Sequence, residues 1–209
     1  MVGIPDPTAE VGRRAGHLRS VRRAFPYLSQ TGANVVRWVA ILLLTQVLAW
    51  AGPRESILEE ATLLIGTTEQ TGQNDGVRID LILASVGLDG TQAPYCAAFN
   101  RYAYDMAGLR TIGPRSALAA KWVSSPTWTR RRGGMTPLPG DPWGIWFASK
   151  GRIAHTGLVQ VWGQNTVRTI EANTSPEAVP GSSADRDGDG IWSKRRLRSQ
   201  IHSVRNWLD

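Results

Sequence analysis

A single cysteine, Cys96, stands in the segment APYCAAFNRYAYDMAG (93–108), where a loop turns into an amphipathic helix. A thiol at a helix N-terminus is a candidate nucleophile, because the helix dipole and the free N–H groups stabilise a thiolate. A lone cysteine is more often a small buried hydrophobe, so the thiol alone does not indicate chemistry. The other residues that could act with a thiol decide between the two interpretations.

The candidate base is His155, one of three histidines in the chain. His17 lies in an N-terminal segment that we expect to be removed, and His202 lies among charged residues near the C-terminus. His155 instead opens HTGLVQVW, a segment whose β-branched and aromatic residues predict a strand. The imidazole would therefore stand at the head of a strand.

A carboxylate and an amide, Glu171 and Asn173, occur in the next predicted strand, TVRTIEAN. The linker GQN (163–165) predicts a hairpin with a three-residue loop. That loop places His155 opposite Asn173 and Gly157 opposite Glu171, with the three polar side chains on one face. The glycine leaves space for the carboxylate to approach the imidazole. A two-residue loop would put His155 on the other face.

These residue types together predict the nucleophile, base and orienting group of a thiol hydrolase. Cys96 would attack a carbonyl carbon, and His155 would take the thiol proton and later protonate the leaving amine. Glu171 would hold the imidazole in one tautomer, and Asn173 would complete the polar network around it. The backbone N–H of Cys96 is the expected donor to the oxyanion.

The order of these features resembles the CHAP domain, the cysteine, histidine-dependent amidohydrolase/peptidase, within the papain-like group that includes NlpC-type wall peptidases. The resemblance covers roughly residues 66–205 and is carried by the segments TEQTGQNDGVRIDLILASVGL, PYCAAFNRYAYDMAG, GDPWGIWFAS, HTGLVQV, IEANTS and GDGIWSKRR. It implies hydrolysis of peptidoglycan amide bonds, either between muramic acid and L-alanine or within the peptides. The polar positions of the family map onto Cys96, His155, Glu171 and Asn173.

Two positions depart from the family pattern. Tyr95 precedes the cysteine where the family often has tryptophan, and Ala172 stands where it often has glycine. Neither change touches the proposed chemistry directly. Two alternatives stay open: another papain-like acyl transferase, and a catalytically inactive wall-binding or envelope protein on the same fold.

The elements that must position these residues indicate an α+β fold. Helical patterns come first, over GPRESILEEATLLIG, VRIDLILASVGL, the cysteine segment and RSALAAKW. Strand-like segments follow: GIWFAS, HTGLVQVW, TVRTIEAN, IWSKRRLR and IHSVRNWL. Helices followed by strands favour an antiparallel sheet packed against the helices. The resemblance implies the papain-like version of this layout over residues 52–209.

The N-terminal segment, residues 1–51, has a different character. Six arginines precede the apolar run WVAILLLTQVLAWA, which is too short for the ~20 residues of a membrane span and ends in a small-x-small pattern. This order predicts a secretory signal; the alternative is an uncleaved membrane anchor. We therefore expect a bacterial protein that is secreted, periplasmic or held at the cell envelope.

Most of the positive charge belongs to that segment. It holds six of the 24 basic and two of the 17 acidic residues, which leaves 18 basic and 15 acidic residues and a net charge of +3. A mildly basic mature chain does not favour nucleic acid as a partner. We expect peptidoglycan as the partner, contact with a membrane only through the N-terminal segment, and a monomer.

Three aromatic residues are candidates for substrate binding: Tyr95 beside the cysteine, and Trp128 and Trp143 in turn-rich segments. The clusters RRRGG and KRRLR are interpreted as a solvated loop and a strand with charged faces. The segment DRDGDG spaces Asp185, Asp187 and Asp189 like a calcium loop, but its twelfth position is Arg196 where a glutamate is needed. We expect no cofactor; calcium at these aspartates is the alternative.

Overall fold

The described part of this computed structural model comprises residues 52–176 and 188–209. The predicted signal or anchor at 1–51 lies outside it, as do Asp185 and Asp187. Among the described residues, no helix is long and apolar enough to span a bilayer.

Four helices precede the sheet in the described chain, as the sequence predicts: α1 (Pro53–Leu63), α2 (Val77–Ala84), α3 (Cys96–Met106) and α4 (Ala119–Trp122). A proline at the first position starts α1, because its fixed φ suits a helix and the N–H it lacks would have no acceptor there. The buried residues of α3 lie mostly in its first two-thirds, so the end that begins with the cysteine is the end held in the core.

A seven-stranded sheet follows, in which every neighbouring pair is antiparallel. The strands occur in the spatial order β2-β1-β7-β3-β4-β5-β6. They are β1 (Trp128–Thr129), β2 (Gly133–Gly134), β3 (Pro142–Phe147), β4 (Arg152–Trp162), β5 (Thr166–Thr174), β6 (Gly190–Leu197) and β7 (Ser203–Val204). The α+β prediction is confirmed. The long C-terminal strand predicted over IHSVRNWL was wrong, because only β7 is extended there, and β1 and β2 were missed.

Two apolar clusters hold the layers together. The larger one joins the helices to one face of the central strands, where Leu158 and Ile170 pack against Phe99 and Tyr104 of α3. The smaller one, around Trp143 and other residues of β1, β3, β4, β5 and β7, belongs to the second face. Because side chains alternate along a strand, β4 and β5 contribute to both clusters.

The hairpin of β4 and β5 has the predicted pairing at Gly157 but a different register at its tip. Its tip is tighter than predicted, since Trp162 pairs with Val167 and the Gly163 N–H donates to the Thr166 carbonyl. That register alone would move His155 to the wrong face. A bulge between Val159 and Val161 inserts one extra residue in β4, and Gly157 then pairs with Glu171 as predicted.

Candidate active site

Cys96 is the first residue of α3, where the N–H groups of the first turn have no acceptor inside the helix. Its side chain is 5% exposed. That exposed part lines a cavity of about 200 Å³, which we call the thiol cavity. The other residues of the thiol cavity are mostly small: Ala93, Pro94, Ala117, Leu118, Ala119, Arg152 and Ala154. Cys96 is therefore packed in the core and borders the thiol cavity.

His155 is fully buried and is oriented by Glu171. The imidazole Nε2 lies 2.9 Å from Glu171 Oε2, and neither side chain is exposed. Gly157 makes this approach possible, because a Cβ there would lie 2.6 Å from the Ile170 carbonyl oxygen and 3.1 Å from Glu171 Cγ. Trp143 packs against the imidazole in an edge-to-face arrangement, with the ring centroids 5.7 Å apart. The predicted base and orienting carboxylate are thus brought together.

The protonated form of His155 is favoured by its neighbours. Burial by itself lowers the pKa of the imidazole, but the interaction with neighbouring Cys96 and the hydrogen bond to Glu171 outweigh burial and raise the pKa of His155 to about 9. Cys96, at the start of α3, is therefore among the groups that surround the ring.

Of the two ring nitrogens of His155, Nδ1 is the one that is free to react. Because Nε2 is engaged by Glu171, Nδ1 of His155 is left, and it is buried with no hydrogen-bond partner among the residues that the structure describes. A buried ring nitrogen without a partner is costly unless a reacting group supplies one. Nδ1 is therefore the atom that can exchange a proton with the thiol of Cys96.

Glu171 is held by two groups besides the imidazole. Arg196 donates from Nε to Oε1 at 2.8 Å and from Nη2 to Oε2 at 2.5 Å, and the Thr169 hydroxyl donates to Oε1 at 2.6 Å. Burial raises the pKa of Glu171, but hydrogen bonding and charge from Arg196 and His155 outweigh it and hold that pKa well below its usual range. The carboxylate stays ionised beside an imidazolium.

Arg196 is the functional residue that sequence reasoning missed. The interpretation of KRRLR as a strand with solvated charges is wrong for Lys194 and Arg196, which are 7% and 4% exposed. The usable signal was their spacing of two, which puts both side chains on one face of β6 while Arg195 points to the other. Since β6 pairs with β5, that face is the one that carries Glu171.

Asn173 does not contact the imidazole, and its predicted role is wrong. It lies at a bulge in β5 with φ of 57°, which turns its side chain away from the ladder. Its Oδ1 accepts from the Tyr95 backbone N–H at 3.1 Å, and its Nδ2 donates to Asn74 Oδ1 at 3.0 Å and to the Gly188 carbonyl at 3.3 Å. Asn173 therefore anchors the backbone immediately before the nucleophile.

Two of the three predicted substrate-binding aromatic residues, Tyr95 and Trp143, are 0% exposed and are not available to a ligand. Trp128 is 5% exposed and lines a different cavity from Cys96, together with Arg198. The two tryptophans pack in the smaller apolar cluster, and the Tyr95 hydroxyl donates to Glu69 Oε1 at 3.0 Å. Their large apolar surfaces complete the core of a sheet whose short outer strands could not be recognised from the sequence. Trp143 contributes to the site indirectly, because it packs against the ring of His155.

No group of three or more histidine, cysteine or carboxylate side chains suited to a metal ion occurs within residues 52–176 and 188–209. Of the three aspartates in the predicted calcium loop, the structure describes only Asp189. Its backbone carbonyl accepts from the Glu69 N–H at 2.8 Å, which ties the start of β6 to the loop before α2.

Comparison with models of protein families gave no match, and comparison with curated proteins gave none either. The chemistry of the site is therefore inferred from the contacts of Cys96, His155, Glu171 and Arg196.

Proposed function

We propose that this protein is a papain-like cysteine hydrolase of the CHAP type that cleaves amide bonds in peptidoglycan. The observation that carries the proposal is the buried hydrogen-bonded series from His155 through Glu171 to Arg196, with Cys96 beside the imidazole at the start of α3. A structural cysteine needs no such series, whereas a thiol nucleophile needs a base and an orienting group. The antiparallel sheet packed on α3, with the cysteine at the helix start, fits the papain-like layout.

Acylation follows from this geometry. The proton of the thiol is held on Nδ1 of His155 before the attack, so the sulfur of Cys96 attacks the carbonyl carbon of the amide as a thiolate. The negative charge that develops on the substrate oxygen is stabilised by the N–H of Cys96 at the helix start. The C–N bond then breaks, and the leaving nitrogen takes the proton from Nδ1. The products are a free amine and a thioester on Cys96.

Deacylation reverses the roles. Water loses a proton to Nδ1 of His155 as its oxygen attacks the thioester carbonyl. The C–S bond breaks, a carboxylic acid is released, and the sulfur of Cys96 leaves as a thiolate while Nδ1 of His155 keeps the proton taken from water. Throughout, Glu171 holds Nε2 and stabilises the imidazolium without taking its proton, because Arg196 keeps the carboxylate ionised.

Two sequence features support peptidoglycan as the substrate. The first is the ordered set of segments that resembles CHAP domains. The second is the predicted secretory signal at residues 1–51, which would deliver the protein to the compartment that contains the wall. A chain with one cysteine also has no internal partner with which to mispair in an oxidising compartment. We propose a secreted or envelope-held monomer.

The experiment is digestion of purified peptidoglycan, with the soluble products identified by mass spectrometry. We expect new amine and carboxyl ends, either at the bond between muramic acid and L-alanine or within the peptides. Products with only new reducing sugar ends would overturn the proposal. So would sedimentation of the protein with the wall without any release, which is the behaviour of an inactive wall-binding protein.

A further inference from the structure

We propose that Arg152 is a specificity residue that binds a free carboxylate of the substrate beside the amide that Cys96 attacks. This inference deepens the proposed function and rests on it. Arg152 is exposed and lines the thiol cavity together with Cys96 and Ala154. It is the charged member of an otherwise apolar lining, so it sets what kind of group the cavity attracts.

A β-bulge directs Arg152 towards the cavity. Ile145 pairs with His155 but Trp146 pairs with Ile153, so Ala154 is an extra residue in β4. Strict alternation would put Arg152 and His155, three positions apart, on opposite faces. The bulge reverses this, because two neighbouring residues of the bulged strand then oppose one residue of its partner.

The position of Ile153 supports that assignment. Its Cγ2 lies 2.6 Å from where a Cβ of Gly144 would stand, next to Val123. Gly144 pairs with Thr156, whose hydroxyl accepts from Asn100 of α3, so this is the helix-covered face. Ile153 therefore points away from its neighbours Arg152 and Ala154, which line the thiol cavity with Cys96.

The charge of Arg152 is not used elsewhere in the described chain. Within residues 52–176 and 188–209 its guanidinium has no hydrogen bond or ion pair. Arg54, Arg101 and Arg196 are all engaged by carboxylates or carbonyls. An arginine fork matches a carboxylate with two parallel hydrogen bonds, which gives orientation as well as attraction.

The size of the thiol cavity limits the residue that occupies it. About 200 Å³ is below the usual range for a drug-sized ligand, and alanines at 93, 117, 119 and 154 form much of the wall. Such a space holds one apolar side chain, and a methyl group fits it readily. The apolar wall and Arg152 together favour a small apolar residue followed or preceded by a free carboxylate. A muramoyl-L-alanyl-D-glutamate stem whose α-carboxyl is free has both, and its amidated form lacks the carboxylate.

The test compares two soluble substrates, an N-acetylmuramoyl stem peptide with a free α-carboxyl on its second residue and the same compound with that carboxyl amidated. The proteins are wild type, Arg152→Gln, Arg152→Lys and Lys150→Gln, the last a matched loss of an exposed charge that does not line the cavity. An ion pair with a solvent-exposed guanidinium contributes up to ~1 kcal/mol, so we expect wild type to prefer the free carboxylate by roughly 2- to 5-fold in kcat/KM.

Arg152→Gln should abolish this preference by lowering kcat/KM on the free carboxylate alone, Arg152→Lys should keep part of it, and Lys150→Gln should keep it all. Cleavage by wild type with no preference, or with one that Arg152→Gln leaves intact, overturns the inference and leaves the hydrolase standing. Titration calorimetry of both compounds against Cys96→Ala, with and without Arg152→Gln, measures recognition without turnover. If wild type cleaves neither compound but the calorimetry shows binding that depends on Arg152 and on the free carboxylate, the hydrolase proposal is overturned and the inference about Arg152 stands. If there is neither cleavage nor such binding, both are overturned.

Discussion

At the scale of single residues, the site depends on the imidazole of His155, which interacts with two neighbours. Glu171 takes Nε2 of His155, and the thiol of Cys96 acts on the ring from the other side. The carboxylate of Glu171 and the neighbouring Cys96 favour imidazolium despite full burial. The same contacts that raise the proton affinity of the ring thus prepare it to protonate a leaving amine.

The protonation of His155 gives a prediction about pH. Its folded-state pKa of about 9 exceeds the ordinary value of 6.5, so its contribution to stability is full below pH 6.5 and is lost as pH rises through about 9. We expect kcat/KM to fall over the same alkaline limb, because neutral imidazole cannot protonate the leaving amine.

NMR titration of the His155 ring measures this directly. Cys96→Ala should lower the pKa of His155, because one of the two groups that raise it is gone. His202, whose pKa is lowered by burial and by Arg130, serves as an internal reference in the same spectra. A His155 that titrates at its ordinary value in both proteins would contradict the contact with the thiol.

Arg196 gives a second prediction at this scale. Arg196→Met leaves the carboxylate of Glu171 buried without its cation, which should cost about 3–5 kcal/mol in the free energy of unfolding and raise the pKa of Glu171. Arg196→Lys keeps the charge but not the two-pronged geometry, and should lose less. Urea unfolding and kcat/KM measure the two effects.

The control for Arg196 is Arg168→Met, an exposed arginine of the neighbouring strand β5 that should change stability by no more than about 0.5 kcal/mol. Equal losses in Arg196→Met and Arg168→Met would show that the carboxylate does not depend on its buried cation.

At the scale of elements, the hairpin of β4 and β5 decides whether base and carboxylate meet. The sequence predicted the pairing of Gly157 with Glu171 from a three-residue loop, but the tip is tighter and a bulge restores the register. Bulges leave no clear pattern in a single sequence, because any residue type can occupy the extra position. The predicted pairing is therefore correct only because two errors cancel: the turn is tighter than predicted, and the bulge adds one residue to β4.

Gly157→Ala tests the space that the hairpin leaves for Glu171. The new Cβ would push on the Ile170 carbonyl and on Glu171 Cγ, so we expect a loss of 1–3 kcal/mol from overpacking and a separate loss of at least about 10-fold in kcat.

Gly144→Ala is the matched control for Gly157→Ala. It overpacks the other face against Ile153 and Val123 without reaching the carboxylate, so it should lose stability but keep kcat. Equal effects on kcat in the two variants would argue against a role for Gly157 in positioning Glu171.

Helices were easier to predict than strands for a physical reason. The order and type of α1 to α4 follow from apolar spacing, a starting proline and terminal glycines, which are local signals. Strands β1, β2 and β7 are two residues long and exist only through their partners. Without them, the burial of Trp128 and Trp143 could not be foreseen, because a tryptophan in a turn-rich segment looks available to a ligand.

At the scale of the whole molecule, Arg54 joins three distant parts of the described chain. It lies at the start of α1 and donates to the Pro139 carbonyl at 2.9 Å, to Asp141 Oδ1 at 2.7 Å and to Asn206 Oδ1 at 2.9 Å. The helix that follows the predicted signal is thereby tied to the strand layer and to the C-terminal residues. These contacts are long-range and could not be read from sequence periodicity.

Arg54→Met should lower the free energy of unfolding at neutral pH by about 1–3 kcal/mol, because Asp141 is 1% exposed and loses its cation. Burial already raises the pKa of Asp141 despite Arg54, and losing the cation raises it further. An acid whose folded-state pKa is raised destabilises the fold only where it is ionised, so the deficit should shrink at mildly acidic pH. Urea unfolding at the two pH values checks this, and kcat/KM should be unchanged. A deficit independent of pH would mean that packing, not charge, was lost.

The central claim is that the thiol of Cys96 is the nucleophile of an amide hydrolase. Cys96→Ser changes one atom of the only cysteine in the chain and leaves its packing in place. The most direct measurement is the rate of amine release from a soluble muramoyl peptide by wild type and by Cys96→Ser, with the thermal midpoint of each measured alongside. The account predicts a loss of at least about 10³-fold with an unchanged midpoint. Release at the wild-type rate by Cys96→Ser would contradict it.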